Sequence, residues 1–274
     1  MTKTYSAALR AAGDKLDAAG IDRDGANFVL SSRLNWSRSQ LVLHGRDEMP
    51  DDVAQTFAED INALLAGQPA QYVVGRAPFW GRWFNVNPAV LIPQFDTEIL
   101  VEWMLEDAVG GFGIDIGTGS GAIGITLKLE RPLLAMTLSD ISQPVLTVAE
   151  ANAKELGAEV ELNQGNLLEG TGKYDFIVAN LPYIDRDEMD VMDQSVIDYE
   201  PHLALFAEDH GLALFRELFD QIPRHLRPGG VVYLEFGYRQ QEALAQMIAQ
   251  MLPLGQAEFR EDDAGHPRAV KIKF

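Results

Sequence analysis

Gly113-Ile114-Asp115-Ile116-Gly117-Thr118-Gly119-Ser120-Gly121-Ala122 is the stretch that decides the fold. It reads as an apolar strand, a turn with glycine at every second position, and the opening of a helix that runs to Glu130. Glycine tolerates positive φ and lets a ligand touch the backbone, and the first turn of a helix offers unpaired N–H groups. Nineteen positions past Gly121, the apolar stretch from Leu134 ends in Ser139-Asp140. An acid at a strand terminus suits ribose hydroxyls. The spacing is that of one βαβ unit, so the turn predicts a cradle for a nucleoside cofactor.

Outward from this unit, apolar strands and helical stretches alternate. Strands are expected at 112–116, 134–140, 159–164, 174–180 and 231–236, with helices at 121–130, 143–156, 212–226 and 239–251, and a closing pair of strands near 256–261 and 269–274. Such alternation requires an α/β fold with a doubly wound, mostly parallel sheet and right-handed crossovers. The first third reads differently. Ser6 to Ala19, Asp24 to Leu34 and Pro50 to Leu65 carry apolar residues at helical intervals, with Gly20 closing the first and Asp24 expected to cap the second. This predicts a small N-terminal helical bundle over 1–75. Phe79, Trp80, Trp83 and Phe84 alternate with Gly and Asn in a hairpin linker over 76–95. The remaining domain spans 96–274 and opens with a helix to about Glu106, expected to be capped by Asp96 or Thr97.

Gly117-x-Gly119-x-x-Ala122 also satisfies the dinucleotide fingerprint, so the glycines alone do not separate a nicotinamide or flavin from S-adenosylmethionine. Two features favour S-adenosylmethionine. Asp115 lies two residues before the first glycine, where a cationic amino acid moiety would be met. The apolar run Tyr174 to Ala179 ends in Asn180-Leu181-Pro182-Tyr183. Pro182 pushes Leu181 into extended geometry and itself has no N–H, which aims the Leu181 carbonyl beside the Asn180 side chain. An amide nitrogen is a poor nucleophile because its lone pair is delocalised. Two acceptors out of the resonance plane, Asn180 Oδ1 and the Leu181 C=O, would turn an NH2 group towards tetrahedral geometry. The Tyr183 ring would pack on the target plane and attract a cationic methyl donor. The competing reading is a plain strand exit, since Asn and Pro are common turn residues.

Composition bounds the alternatives. With 274 residues, 47% of them hydrophobic, the chain can bury a large domain and a smaller companion. It has no cysteine, which excludes disulfides and thiolate chemistry, and its five histidines lack ligand spacing, so no metal site is expected. The first thirty residues are interrupted by charge and no apolar run approaches membrane-spanning length, which points to a cytoplasmic protein. A formal charge of −19, with no run of Lys or Arg, opposes a polyanionic partner.

The chain resembles the HemK family of protein-(glutamine N5) methyltransferases, which modify the glutamine of the Gly-Gly-Gln loop of peptide chain release factors. The resemblance runs almost end to end: Gln68 to Gly75, Phe79-Trp80-Gly81, Val90 to Pro93 through Asp96-Thr97-Glu98, the glycine turn, Asp140-Ile141-Ser142, Asn180 to Ile184, Tyr199 to Phe206, and Pro228-Gly229-Gly230 through Leu234-Glu235-Phe236-Gly237. It implies a class I S-adenosylmethionine-dependent methyltransferase fold, with the helical domain meeting the release factor. By the same resemblance Gly117, Thr118, Gly119, Ser120, Gly121, Asp140 and Ile141 hold the amino acid and ribose parts of the cofactor. Asn166 and Leu167 border its adenine, and Asn180 to Tyr183 hold the glutamine amide, with Asn180 also near the cofactor. Leu181 stands where the family usually has Pro, Asn166 where it commonly has an acid, and Gln94-Phe95 in place of Arg-Pro. The quartet is also spelled as in adenine-N6 methyltransferases of RNA, which the net charge and the amino-terminal segments make the runner-up; a cofactor-binding protein without catalysis is the third reading. The long loop from Ile184 to Asp209 is expected to act as a lid over the amide, with Glu200-Pro201 fixing its return.

Overall fold

The structure, a computed structural model, describes residues 4–262 and 264–274. It divides into two compact units, Met1–Arg76 with Asp193–Tyr199, and Ala77–Met192 with Glu200–Phe274.

The first unit is built on α1 (Tyr5–Ala18), α2 (Asp24–Leu34), α3 (Arg38–Leu43), α4 (Asp51–Leu65) and α5 (Ala70–Val74). Tyr5, Ala8, Ala12 and Leu16 of α1 recur at helical spacing and are buried against Val29 and Leu30 of α2 and Phe57, Ile61 and Leu64 of α4. Each large side chain so buried contributes roughly 1.5–3 kcal/mol. The Arg33 guanidinium grips the buried Asp60 carboxylate with two bonds of 3.1 and 2.9 Å and donates to the Val73 carbonyl at 2.8 Å, which ties α2, α4 and α5 together. Asp24 is not the cap of α2 but its first residue; the carboxylate that accepts its N–H is that of Asp22, at 2.9 Å. Helices α3 and α5 add to the three expected. Six and five residues long, they are too short to show a periodicity, and a capping box between Ser37 and Gln40 starts α3.

From Ala77 the second unit opens with the hairpin of β1 (Arg76–Phe79), whose first residue closes the first unit, and β2 (Arg82–Asn85), joined by Trp80 and Gly81 at φ of 48° and 70°. Two positive φ values in a two-residue loop match the twist of the strands it joins. Next come α6 (Glu98–Glu106), β3 (Phe112–Ile116), α7 (Ala122–Glu130), β4 (Ala135–Asp140), α8 (Gln143–Leu156), β5 (Val160–Gln164) and β6 (Tyr174–Asn180). The short α9 (Gln194–Tyr199) belongs to the first unit. A turn at Glu208–Gly211 (α10), α11 (Ala213–His225), β7 (Leu226–Glu235), α12 (Gln241–Met251), β8 (Gln256–Glu261) and β9 (Pro267–Lys273) complete the unit.

Seven strands form one sheet in the order β5-β4-β3-β6-β7-β9-β8. The first five are parallel, and β9 pairs antiparallel with β7 and β8. The doubly wound architecture is thus that of a class I methyltransferase. Alternate residues of β6 serve opposite cores: Ile177 and Ala179 pack with Phe215, Leu218 and Ile222 of α11, while Phe176 and Val178 pack with Leu100 and Met104 of α6 and Ile125 of α7. A strand buried on both faces reads as continuous apolar sequence. Gly113 of β3 makes room for this packing, since a Cβ there would lie 2.0 Å from the Phe176 ring. The chain crosses from β3 outward to β5 and then returns to place β6 on the other side of β3. The carboxyl ends of the strands at such a reversal leave a crevice.

Residues 184–209 carry short turns of helix and are pinned at their base. Ile184 N donates to Leu205 O and Ala207 N to Ile184 O, each at 3.0 Å. Glu200, expected to fix the return of this segment, is buried and accepts from the Ile92 N–H at 3.3 Å.

Candidate active site at the carboxyl ends of the strands

The alternate glycines after β3 each meet a different demand. Gly117 has φ of 66°, and a Cβ on it would press on Leu181 Cδ2 at 3.2 Å. Gly121, at φ of 82°, starts α7, and a Cβ there would strike Ile125 Cδ1 at 2.5 Å. Gly119 has φ of 58°, and a Cβ on it would meet nothing within 4 Å. It would project into open space, so a ligand can lie directly on this backbone.

Beneath the turn lies Asp115. Its Oδ2 accepts from Thr118 Oγ1 at 2.7 Å and from the Gly124 N–H at 2.9 Å, which locks the turn to the start of α7. Its Oδ1 is buried without a hydrogen-bond partner among the described residues. Desolvation, reinforced by the nearby Asp140 charge, pushes the Asp115 carboxyl up to about 7. Through Oδ2 the side chain braces the turn from behind, with the backbone N–H of Gly124 and the Thr118 hydroxyl as its donors. Ser120 is also buried, and its carbonyl accepts from Asn152 Nδ2 at 2.8 Å.

Asp140 ends β4 with Oδ1 accepting from the Ser142 N–H at 2.9 Å and Oδ2 from the Gly119 N–H at 3.4 Å. Burial raises its pKa, and these backbone donors oppose the rise. Asn166 donates from Nδ2 to Glu217 Oε1 at 2.5 Å, and Leu167 adopts φ of 54°, a left-handed value that is rare outside Gly, Asn and Asp.

Asn180 ends β6 in register with Glu235 of β7. Its Nδ2 donates to Thr97 Oγ1 at 3.0 Å. An Asn has one carbonyl oxygen and one NH2 group, so this bond turns Oδ1 away from Thr97. Thr97, expected as a helix cap, makes no side-chain cap for α6. Its hydroxyl is engaged with Asn180, a partner 83 positions away. Tyr183 donates from its hydroxyl to Glu235 Oε1 at 3.0 Å. Desolvation, with the Glu235 charge, drives the phenol pKa upward, and burial raises the Glu235 carboxyl to about 6.

These ends enclose a cavity of about 420 Å³, within the range of roughly 300–1,000 Å³ for small-molecule sites. Gly117, Gly119, Asp140, Ile141, Asn166, Leu167, Asn180, Leu181 and Pro182 line it together. Asp115, Thr118, Ser120, Gly121 and Tyr183 do not line it. The first four build the turn, and Tyr183 is held by its hydroxyl on Glu235 because a buried phenol needs a partner for its O–H. The walls also include Val90 and Leu91, and Pro201, Leu203 and Ala204 from the return of the long loop. Of these wall residues the sequence assigns a part only to Pro201, in fixing the return of the loop; it predicts none as lining the site. Thr97 and Glu235 were likewise missed as site residues, though a lone Glu between Leu234 and Phe236 at a strand end was a signal that could have drawn attention.

An open, mainly parallel sheet closed by an antiparallel pair, with a bare glycine turn after β3 and an acid at the end of β4, defines a class I S-adenosylmethionine-dependent methyltransferase. Comparison with known proteins narrows this. Residues 7–75 match the family described as PrmC N-terminal domain, and residues 94–203 match the methyltransferase small domain. The chain is 38% identical over 272 residues to release factor glutamine methyltransferase of Enterococcus faecalis, covering 98% of each chain. It is 34% identical to the protein of the same name from Staphylococcus aureus, covering 95% of this chain and 98% of that one. A methyltransferase from Pyrococcus furiosus of known crystal structure shares the fold, with a TM-score of 0.53 and 20% identity over 71% of this chain and 89% of that one. The chain belongs to the release factor glutamine methyltransferase family.

Proposed function

We propose that this protein transfers a methyl group from S-adenosylmethionine to the side-chain amide nitrogen (N5) of the glutamine in the Gly-Gly-Gln loop of peptide chain release factors. One observation carries the chemistry: the Asn180 amide is anchored through Nδ2 on Thr97 beside the cavity that Gly117, Gly119 and Asp140 also line. The near full-length similarity to proteins named for this activity supports the substrate.

The residues present fit the cofactor. Gly119 offers a backbone with open space above it, Asp140 places a carboxylate at a strand end of the cavity, and Leu167 gives an apolar border where a purine would lie. When bound, S-adenosylmethionine supplies an electrophilic methyl group on a sulfonium. Asn180 Oδ1 and the Leu181 carbonyl would accept the two N–H bonds of the glutamine amide and draw its nitrogen out of conjugation. Pro182 keeps Leu181 from relaxing into a helix or a ladder. The nitrogen would gain the methyl carbon as that carbon's bond to sulfur breaks, the sulfonium leaving as a neutral thioether, and the nitrogen would lose one proton to water, so no side-chain base is needed. Leu203 and Ala204 add apolar wall to the cavity. No helix among the described residues is long and apolar enough to cross a membrane, and an enzyme of release factors works in the cytoplasm.

Incubation with methyl-labelled S-adenosylmethionine and separate samples of release factor and ribosomal RNA tests this. Label is expected in the release factor and absent when its Gly-Gly-Gln glutamine is replaced. Label in RNA instead, or in neither, would overturn the reading.

A further inference from the structure

Asn180 presents a problem that its position alone does not solve. The terminal torsion of an Asn side chain is broad and roughly two-fold, so its amide fits the same space with Oδ1 or Nδ2 facing the cavity. Only one orientation offers an acceptor to a substrate NH2; the other presents donor to donor. Some neighbour must break the tie.

We infer that Thr97 is a positioning residue for the transfer, its hydroxyl accepting from Asn180 Nδ2 and thereby holding Oδ1 toward the cavity, with Glu235 fixing the sense of that hydroxyl. The inference rests on the methyl-transfer reading above. A threonine hydroxyl can donate or accept, so Thr97 by itself would not choose. Glu235, 2% exposed and in register with Asn180 across β6 and β7, is the group that chooses. An ionised carboxylate only accepts, and Glu235 Oε2 is buried with no hydrogen-bond partner among the described residues; this unfilled acceptor draws the proton of the Thr97 hydroxyl, a group that favours the charged carboxylate. With its proton drawn that way, Thr97 has only lone pairs to give Asn180. The other groups facing Glu235 act in the same sense or at a distance: Tyr183 donates to Oε1, Arg268 favours the carboxylate, and Asp96 opposes it. Thr97 is 5% exposed, makes no helix cap and does not line the cavity, so its hydroxyl acts through Asn180.

Thr97→Val keeps the shape and removes the acceptor, while Thr97→Ser keeps the acceptor. In single-turnover methylation of release factor, Thr97→Val is expected to lower kcat about 10- to 100-fold, the scale of a misplaced reacting group, with cofactor Kd unchanged, and Thr97→Ser to restore most of the rate. NMR of the Asn180 side-chain amide, assigned by its loss in Asn180→Ala, supplies a readout free of turnover: one amide proton is protected in the wild type and in Thr97→Ser, and exposed in Thr97→Val. A Thr97→Val protein with wild-type kcat and an unchanged amide signal overturns the inference, as does equal impairment of both variants. Should Thr97→Val not fold, Glu235→Gln decides, because its carboxamide can donate to Thr97 and release the hydroxyl proton toward Asn180. It is expected to lower kcat with cofactor Kd retained, and a wild-type kcat would overturn the inference. A wild-type protein that methylates no release factor sinks the functional reading instead, and the amide signal still judges Thr97.

Discussion

The sheet carries a hollow at each end, and the larger one is the less equipped for chemistry. At the amino ends of β3 to β6, Phe112, Ala135, Met136, Val160 and Tyr174 border a hollow of about 1160 Å³, against about 420 Å³ at the carboxyl ends. The amino-end hollow has cations, but two of them are already engaged: Lys128 Nζ donates to the Pro132 and Leu134 carbonyls, and Arg227 pairs with Asp175 and lies 4.3 Å over the Phe112 ring. Lys154 and Lys173 share their surface with Glu150, Glu159 and Glu161. At the carboxyl ends a glycine backbone, a strand-end carboxylate and an oriented amide converge on one small space. Convergence of polar groups on one shaped cavity marks the candidate site, and volume does not.

The sharpest way to break this contrast is Asn180→Ala. Turnover is expected to fall about 10²- to 10³-fold, the scale seen when one oriented hydrogen-bonding group is removed from a reacting centre. Cofactor binding by calorimetry should stay within about three-fold, because the glycine turn is untouched. Turnover within ten-fold of wild type would mean that the amide is not gripped here.

Asp115 tests the scaffold under the turn. Its pKa is raised to about 7 from an unfolded value near 3.8. A group raised in this way favours folding while protonated, so its contribution is fully present below about pH 4 and is lost as pH climbs through 7. Asp115→Asn removes that dependence. The stability of the variant relative to wild type is expected to rise by about 2–3 kcal/mol between pH 5 and pH 8. Parallel stability curves, from denaturant unfolding across that range, would contradict the buried charge.

Gly119→Val places a β-branched residue at φ of 58° with its side chain over the open cradle. Strain of roughly 1–3 kcal/mol and occlusion together predict cofactor affinity weaker by about 10- to 100-fold, read by calorimetry. Unchanged affinity would remove the turn from the binding site. The smallest effect belongs to the other hollow: Lys154→Ala and Lys173→Ala are expected to leave turnover within about two-fold, as surface substitutions usually do. A clear loss in either would show that the amino ends of the strands also serve the reaction.

The parts legible in the sequence are those whose cause is local. The strand, alternate glycines and helix of 113–130 announce themselves because each glycine answers a steric need within a few residues, and β6 is continuous apolar sequence because both of its faces are covered. The end of β6 marks where Asn180 lies. What the sequence hides is set by remote partners. Thr97 stands before a helix and so reads as a cap, yet its hydroxyl serves Asn180. Tyr183 reads as an aromatic face, yet Glu235, 52 positions away, claims its hydroxyl. Asp115 reads as a ligand group, with no local sign that its Oδ2 also ties Thr118 and Gly124 beneath the turn. Side chains with a single polar handle go to whichever partner the finished sheet brings near, and no local pattern records that choice.

The sheet order has a consequence for biosynthesis. β9 leaves the ribosome after β8 yet lies between β7 and β8. The nascent sheet can therefore not be zipped up strand by strand as it is translated; β8 must wait, unpaired, for the strand that follows it. A stop codon just before Pro267 would leave β7, the strand that carries Glu235, with a bare flank on one side, and such a product is a candidate for aggregation through that open edge.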